Sequence, residues 1–196
     1  MAGKFIVFEG LDGSGITTQA TLLRNHSISN GYDTLLTKEP TDGLIGGIIK
    51  SALKKEWKIS PITLQILYAA DRSHHLENEI EPALKANRIV VCDRYIMSSL
   101  AYGSLDINKD VLQNLNKNFK KPNLTIIIDT QPKICIERMK KARHHLELFE
   151  NESKLVQIRN AYLSMKNYFP DTYIVDGNRG VEEVFSDVKK IFGKVI

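Results

Sequence analysis

The chain has 196 residues, 42% hydrophobic and 26% charged, enough to bury one full core as a single domain over 1–196. No apolar run approaches the roughly 20 residues of a membrane helix, and no charged and apolar leader precedes the first strand-like segment, so a cytoplasmic protein without a membrane partner is expected. The net charge of +4 is scattered; the densest basic run, KKARHH at 140–145, has no interleaved aromatics, so small anions are better partners than nucleic acid.

In chain order, KFIVFE at 4–9 reads as a short buried strand. The stretch EGLDGSGITTQ follows at 9–19, and then a helix over 16–29. Further strands are expected at 33–38, 88–92, 124–129 and 172–175, and helices at 44–55, 61–86, 109–118, 132–142, 151–168 and 181–192. IVV at 89–91 and III at 126–128 do not alternate with polar residues, the mark of strands covered on both faces. The expected fold is therefore α/β, a three-layer αβα arrangement with a five-stranded parallel sheet and helices on both faces. Cys92 and Cys135 lie in apolar surroundings and read as reduced core thiols.

The segment at 9–19 nearly matches a phosphate-binding loop, which asks for Gly, four residues, Gly, Lys and then Ser or Thr. Gly10, Gly15 and Thr17 fit, while Ile16 stands at the lysine position. Strand, glycine loop and helix in that order let backbone N–H groups and a helix N-terminus cradle an anion. Gly10, Asp12, Gly13, Ser14, Gly15, Ile16, Thr17 and Thr18 are thus candidate nucleotide contacts. Thr17 suits either a Mg²⁺ ligand or a helix cap. Asp12 would be repelled by phosphates and so should point away, toward a sugar hydroxyl, a hydrated Mg²⁺ or an Asx-type turn.

Glu9, Asp93, Asp129 and Asp176 close their strands, and such positions face the ligand crevice of a parallel sheet. Asp93 fits a second Mg²⁺-anchoring group, and Arg94 offers a phosphate fork unless the two simply pair with each other. Tyr68 and Arg72 stand at i and i+4 of a helix and can hold a base by stacking and hydrogen bonding, although on its own such a pair is more often a core tyrosine and a solvated arginine. The adjacent pairs His74-His75 and His144-His145 point about 100° apart on a helix and make no natural zinc clamp.

Together these segments resemble the thymidylate kinases. The shared stretches are 9–19, Glu39-Pro40, LYAADRSHHLE at 67–77, DRYIMSSLAY at 93–102, LTIIIDTQP at 124–132 and IVDGNRGVEEV at 174–184, nearly the whole length. The resemblance implies transfer of the γ-phosphoryl group of ATP to dTMP, with Mg²⁺, by a homodimer. It places Asp12 on the dTMP sugar, Arg94 on its phosphate, Tyr68 against thymine and Arg72 at the base edge. It has Ser98, Ser99 and Tyr102 line the acceptor pocket, Tyr102 near the 2′ position. Lys50 stands where an acceptor-phosphate arginine is common, Glu39 orders metal or acceptor phosphate beside Pro40, and Arg138 joins the ATP contacts. Thr17 and Asp93 would hold the metal.

The departures concern charge. Family members with Gly13-Ser14 in the loop usually supply a catalytic arginine from a lid, here about 140–150, where Leu148 takes the aligned place. The Gln that often follows the Tyr102 position is Gly103. A unit charge about 4 Å away at an effective dielectric near 20 is worth roughly 4 kcal/mol, about three powers of ten in rate. Lys140, Lys141 or Arg143 of the lid could replace it if the lid folds over the phosphates; Lys141 and Arg143 join Asp12 and Arg94 as catalytic candidates. A weakened dTMP/ATP-binding regulatory protein and a kinase for another pyrimidine nucleotide are the alternative readings.

Overall fold

The computed structural model describes residues 2–142 and 151–196. Its strands are β1 Lys4–Gly10, β2 Thr34–Lys38, β3 Ile89–Asp93, β4 Leu124–Asp129 and β5 Thr172–Asp176, all pairing in parallel in the order β2-β3-β1-β4-β5. The non-alternating runs form the central strands. Phe5, Val7, Val90, Cys92 and Ile127 face one apolar layer, and Ile6, Phe8, Val91, Ile126 and Ile128 face the other. Alternate residues of each strand thus serve different cores.

The helices are α1 Ile16–Ser29, α2 Leu44–Leu53, α3 Pro61–His75, α4 Glu81–Lys85, α5 Ile96–Gly103, α6 Lys109–Asn116, α7 Pro132–Ala142, α8 Glu152–Ser164 and α9 Val181–Phe192. α1 and α9 cover one face of the sheet through Leu23, Ala20, Val184 and Val188. On the other face lie Met97 and Ala101 of α5, Met139 of α7, and Leu155 and Ile158 of α8. α3 starts where Ser60 accepts a hydrogen bond from the Thr63 N–H and Pro61 takes the first turn, a standard start signal. Among the described residues no helix is long and apolar enough to cross a membrane.

Three expectations change. The helix expected over 61–86 is interrupted by a π-helical turn, Leu76–Ile80, that joins α3 to α4. α5 was not expected. Seven of its eight residues are buried, so it has no polar face and no 3.6-residue alternation to betray it. The ends of α2, α6 and α8 fall two to four residues earlier than expected, the usual uncertainty where helix ends fray.

This order puts the topological switch beside β1. β3 and β4 flank β1, and Phe8 of β1 is in register with Asp93 of β3. The loop leaving β1 and the acid ending β3 therefore meet at the carboxyl edge of the sheet, where ligands bind in open parallel sheets.

Candidate active site

A cleft of about 690 Å³ opens at this edge. Its walls carry Asp12, Gly13, Gly15, Ile16, Thr17 and Thr18 from the glycine loop, Glu39 and Pro40 after β2, Tyr68 and Arg72 from α3, and Asp93, Arg94, Ser98, Ser99 and Tyr102 from β3 and α5. Lys50 of α2 and Arg138 of α7 complete it. Segments far apart in sequence thus converge as expected.

The loop is shaped by its backbone. Gly13 has φ 79°, and a Cβ there would stand 2.6 Å from the Cys135 carbonyl oxygen. Only glycine allows so close an approach in a left-handed conformation. Gly15, at φ 100°, opens α1 without a side-chain cap, which leaves the first N–H groups of the helix turned to the cleft. The Ser14 hydroxyl is buried and has no hydrogen-bond partner among the described residues. Ile16 is 4% exposed and packs with Phe8, Ala20 and Ile128. The side chain that replaces the usual lysine therefore belongs to the core as well as to the cleft wall.

At the other end a charged cluster is bound together. Arg94 Nη2 donates to Asp12 Oδ1 at 2.7 Å, and Nη1 donates to the Gly10 carbonyl at 2.9 Å. The Tyr102 hydroxyl donates to Asp12 Oδ2 at 2.8 Å and accepts from the Asp12 N–H. The Asp12 carboxylate is thus taken up by Arg94 and Tyr102. Arg94 pairs with Asp12 and not with its neighbour Asp93. Its backbone is left-handed, φ 71°, a strained state for a non-glycine residue, and its N–H bonds the Phe8 carbonyl. Burial works against the Arg94 charge, but Tyr102 and Asp12 outweigh it and raise the pKa.

Beneath this cluster lies Glu9. Ser98 donates to it at 2.5 Å, the Tyr95 N–H bonds it, and Tyr162 of α8 bonds Ser98 at 2.8 Å. Burial pushes its carboxyl up to about 7, against the opposing pull of Ser98 and Arg94. The expectation that all four strand-end acids rim the crevice is therefore corrected. Glu9 lies buried behind the cleft, Asp129 is held in a two-point pair by Arg159, and Asp176 caps the turn at Asn178. Asp93 alone of the four lines the cleft.

A second network supports the α3 wall. Glu39 accepts from Arg72 Nε at 2.8 Å and stands 3.1 Å from His75 Nδ1, and Arg72 also donates to Ser99 at 3.1 Å and to the Asn116 amide oxygen. The Arg72 guanidinium lies 5.0 Å from the centre of the Tyr95 ring. Asp71 fixes the loop after Pro40 by accepting from the Thr41 N–H and hydroxyl at 2.8 and 2.7 Å. His75 therefore positions Glu39, a role its pairing with His74 in sequence concealed. Asn116, Tyr162 and Gln65 also belong to the site and carry no local motif; Asn116 reaches it where α6 packs on α3, and Tyr162 where α8 packs on α5.

The remaining expected cations are placed unevenly. Lys50 Nζ lines the cleft but bonds Asp42 at 2.5 Å and the Thr41 carbonyl. Arg138 spans the Ser14 and Gly177 carbonyls at 3.2 and 3.1 Å, beside the glycine loop. Lys141 is exposed at the end of α7 and does not line the cleft. Arg143, His144, His145 and Leu148 lie outside the described residues, as does most of the lid expected at 140–150.

Thr17 Oγ1 donates to Asp93 Oδ2 at 2.5 Å, which brings the two expected metal ligands together. Hydroxyl and carboxylate oxygens suit a hard divalent cation that also takes nucleotide phosphates and water. Burial raises the Asp93 pKa despite Arg94 and Thr17, a cost that a cation at this carboxylate would remove. Among the described residues no cluster of three or more His, Cys, Asp or Glu side chains could hold a metal unaided. The donor set fits Mg²⁺ arriving with a nucleotide.

A parallel αβα sheet with a glycine loop between β1 and α1, and an acid at the tip of the neighbouring strand, defines a phosphate-loop nucleotide kinase fold. A family model described as thymidylate kinase matches residues 8–188. The chain is 40% identical to a probable thymidylate kinase of Pyrococcus horikoshii, covering 96% of this chain and 95% of that one. It is 34% identical to a thymidylate kinase of Caldicellulosiruptor saccharolyticus across 100% and 98%, and 35% identical to a probable thymidylate kinase of Pyrobaculum aerophilum across 98% and 97%. The chain belongs to the thymidylate kinase family.

Proposed function

We propose that this chain transfers the γ-phosphoryl group of ATP to dTMP, giving ADP and dTDP for dTTP synthesis. The observation that carries this reading is the Asp12–Arg94–Tyr102 cluster, which ties a cationic fork and a phenol to the glycine loop at one end of the cleft. In this reading the loop over 10–18 and Arg138 bind ATP, and Arg94 holds the acceptor phosphate in line with it. Tyr68 stacks on the base, Ser98 and Ser99 line its pocket, and Tyr102 fills the space a 2′-hydroxyl would need. Glu39, Pro40, Lys50 and Arg72 shape the same wall. Thr17 and Asp93 would hold Mg²⁺, which when bound neutralises charge on the β- and γ-oxygens.

The chemistry asks the protein mainly for position and charge. Asp12 and Tyr102 keep Arg94 aimed before the substrate arrives, so little reorganisation remains for the transition state. On the donor side Ile16 leaves the loop without its lysine, and Lys141, exposed at the end of α7 outside the cleft, does not make good that charge from its described position. A steady-state assay with dTMP, dUMP, dCMP and dGMP tests the reading. Turnover fastest with dTMP supports it, and no turnover above background with any acceptor refutes it.

A homodimer accompanies this reading. Ile62, Ile66 and Ala70 form an exposed i, i+4, i+8 stripe on α3, and Leu44 (91% exposed) and Ile48 do the same on α2. A second copy is the proposed cover. Ile66→Glu should turn a dimer into a monomer in light scattering at micromolar concentration; an unchanged mass would reject this face.

A further inference from the structure

We propose that Gln65 is a specificity-determining residue that reads the edge of a keto-pyrimidine base in the acceptor pocket; this rests on the dTMP reading above and adds a contact to it. Gln65, Tyr68 and Arg72 stand at i, i+3 and i+7 of α3, on one helix face, and all three line the cleft.

The two polar groups of this face differ in what they have left to offer. Arg72, 1% exposed, places one N–H of Nε on Glu39, both of Nη2 on Glu39 and Ser99, and one of Nη1 on Asn116. Four of its five N–H groups are thereby engaged. Gln65 is 4% exposed, and its Oε1 has no hydrogen-bond partner among the described residues. A buried amide oxygen without a donor is costly to the free protein. A ligand that brings a donor to this oxygen removes that cost on binding.

The complementary chemistry is a base edge with an N–H donor beside a carbonyl oxygen. Thymine and uracil offer N3–H flanked by carbonyls, so Oε1 accepts from N3–H and the neighbouring Nε2 donates to a carbonyl. Arg72 adds its remaining donor toward a second carbonyl. Cytosine offers no N3–H and presents an amino group where a carbonyl should meet a donor. A carboxamide matched to one pattern rejects the other because its polar groups are left unpaired.

The place for this carboxamide is made by Gly103. A Cβ there would stand 3.2 Å from Gln65 Cδ and 2.6 Å from Leu112 Cδ2. A side chain at 103 and the Gln65 amide would compete for the same space. Gln65 also lines a neighbouring cavity of about 410 Å³ together with Gly103 and Tyr102, so this residue borders both volumes.

The test is Gln65→Leu, close in size and without polar atoms, measured beside the unmodified chain. Calorimetry should show dTMP affinity reduced at least tenfold and ATP affinity unchanged. The dTMP:dCMP ratio of kcat/KM should narrow by a similar factor. The melting temperature should hold or rise, since an unpaired buried acceptor has been removed. Gly103→Ala should give the same loss of preference by displacing the amide. Unchanged dTMP affinity and preference in Gln65→Leu would overturn the assignment while leaving the kinase reading intact. So would an equal loss for both acceptors with a lowered melting temperature, the signature of a packing role. Failure of the unmodified chain to bind dTMP would overturn both.

Discussion

At the acceptor end of the cleft, Arg94 is held by Asp12, Gly10 and Ser98, and Tyr102 locks the same carboxylate from the other side. At the donor end, by contrast, the glycine loop shows backbone N–H groups, a Ser14 hydroxyl without a partner among the described residues, and the buried aliphatic Ile16. One end fixes charge before any ligand arrives; the other shapes a cradle and leaves the charge to be supplied. In the proposed reading the acceptor side therefore carries its own charge, whereas the donor side depends on groups outside the loop.

The largest expected effect at the acceptor end comes from Arg94→Met. Loss of a unit charge about 4 Å from the phosphate should lower kcat/KM for dTMP by about a thousandfold, with ATP affinity nearly unchanged. An equal loss in ATP affinity, measured by calorimetry, would erase the distinction between the two ends. Tyr102→Phe should act more modestly. Without the hydroxyl that bonds Asp12, acceptance of a ribonucleotide relative to its deoxy form should rise by about tenfold, the size of one hydrogen bond. Comparing UMP with dUMP as acceptors checks it, and an unchanged ratio would remove Tyr102 from sugar selection.

The smallest effect is on stability. The Glu9 carboxyl is raised to about 7 in the folded chain from an ordinary 4.5, so the native state keeps its proton where the unfolded chain has lost it. That contribution is whole below about 4.5 and disappears as pH rises through about 7. Melting temperature should therefore decline across this window, and Glu9→Gln should flatten the decline. An unchanged slope would mean that Glu9 is not the group responsible.

Much of this was legible in the sequence because local chemistry set it. Unbroken apolar runs marked the central strands, and Gly10, Gly15 and Thr17 marked the loop at the end of β1. The convergence of Tyr68, Arg72, Asp93 and Arg94 on one cleft was implied by the resemblance and not by the spacing of Tyr68 and Arg72, which alone reads as a core tyrosine and a solvated arginine. α5 was hidden because burial on all sides erased its periodicity, although Ser98, Ser99 and Tyr102 on it were recognised by resemblance. His75, Asn116 and Tyr162 were hidden for another reason. Each acts on a partner more than 30 residues away, Glu39, Arg72 and Ser98 respectively, and no spacing rule links such pairs. Glu9 was misplaced because a strand-end acid can turn into the core when a hydroxyl such as Ser98 meets it there.

The most direct test of the contrast between the two ends is Ile16→Lys, assayed with ATP and dTMP beside the unmodified chain. Ile16 is core-packed, so the variant should lose about 1–3 kcal/mol of stability. In this variant kcat should rise at least a hundredfold while KM for dTMP stays within about twofold, because only the donor end has gained a cation. A folded variant with no gain in kcat would contradict it, and would mean that the donor end already holds the charge it needs.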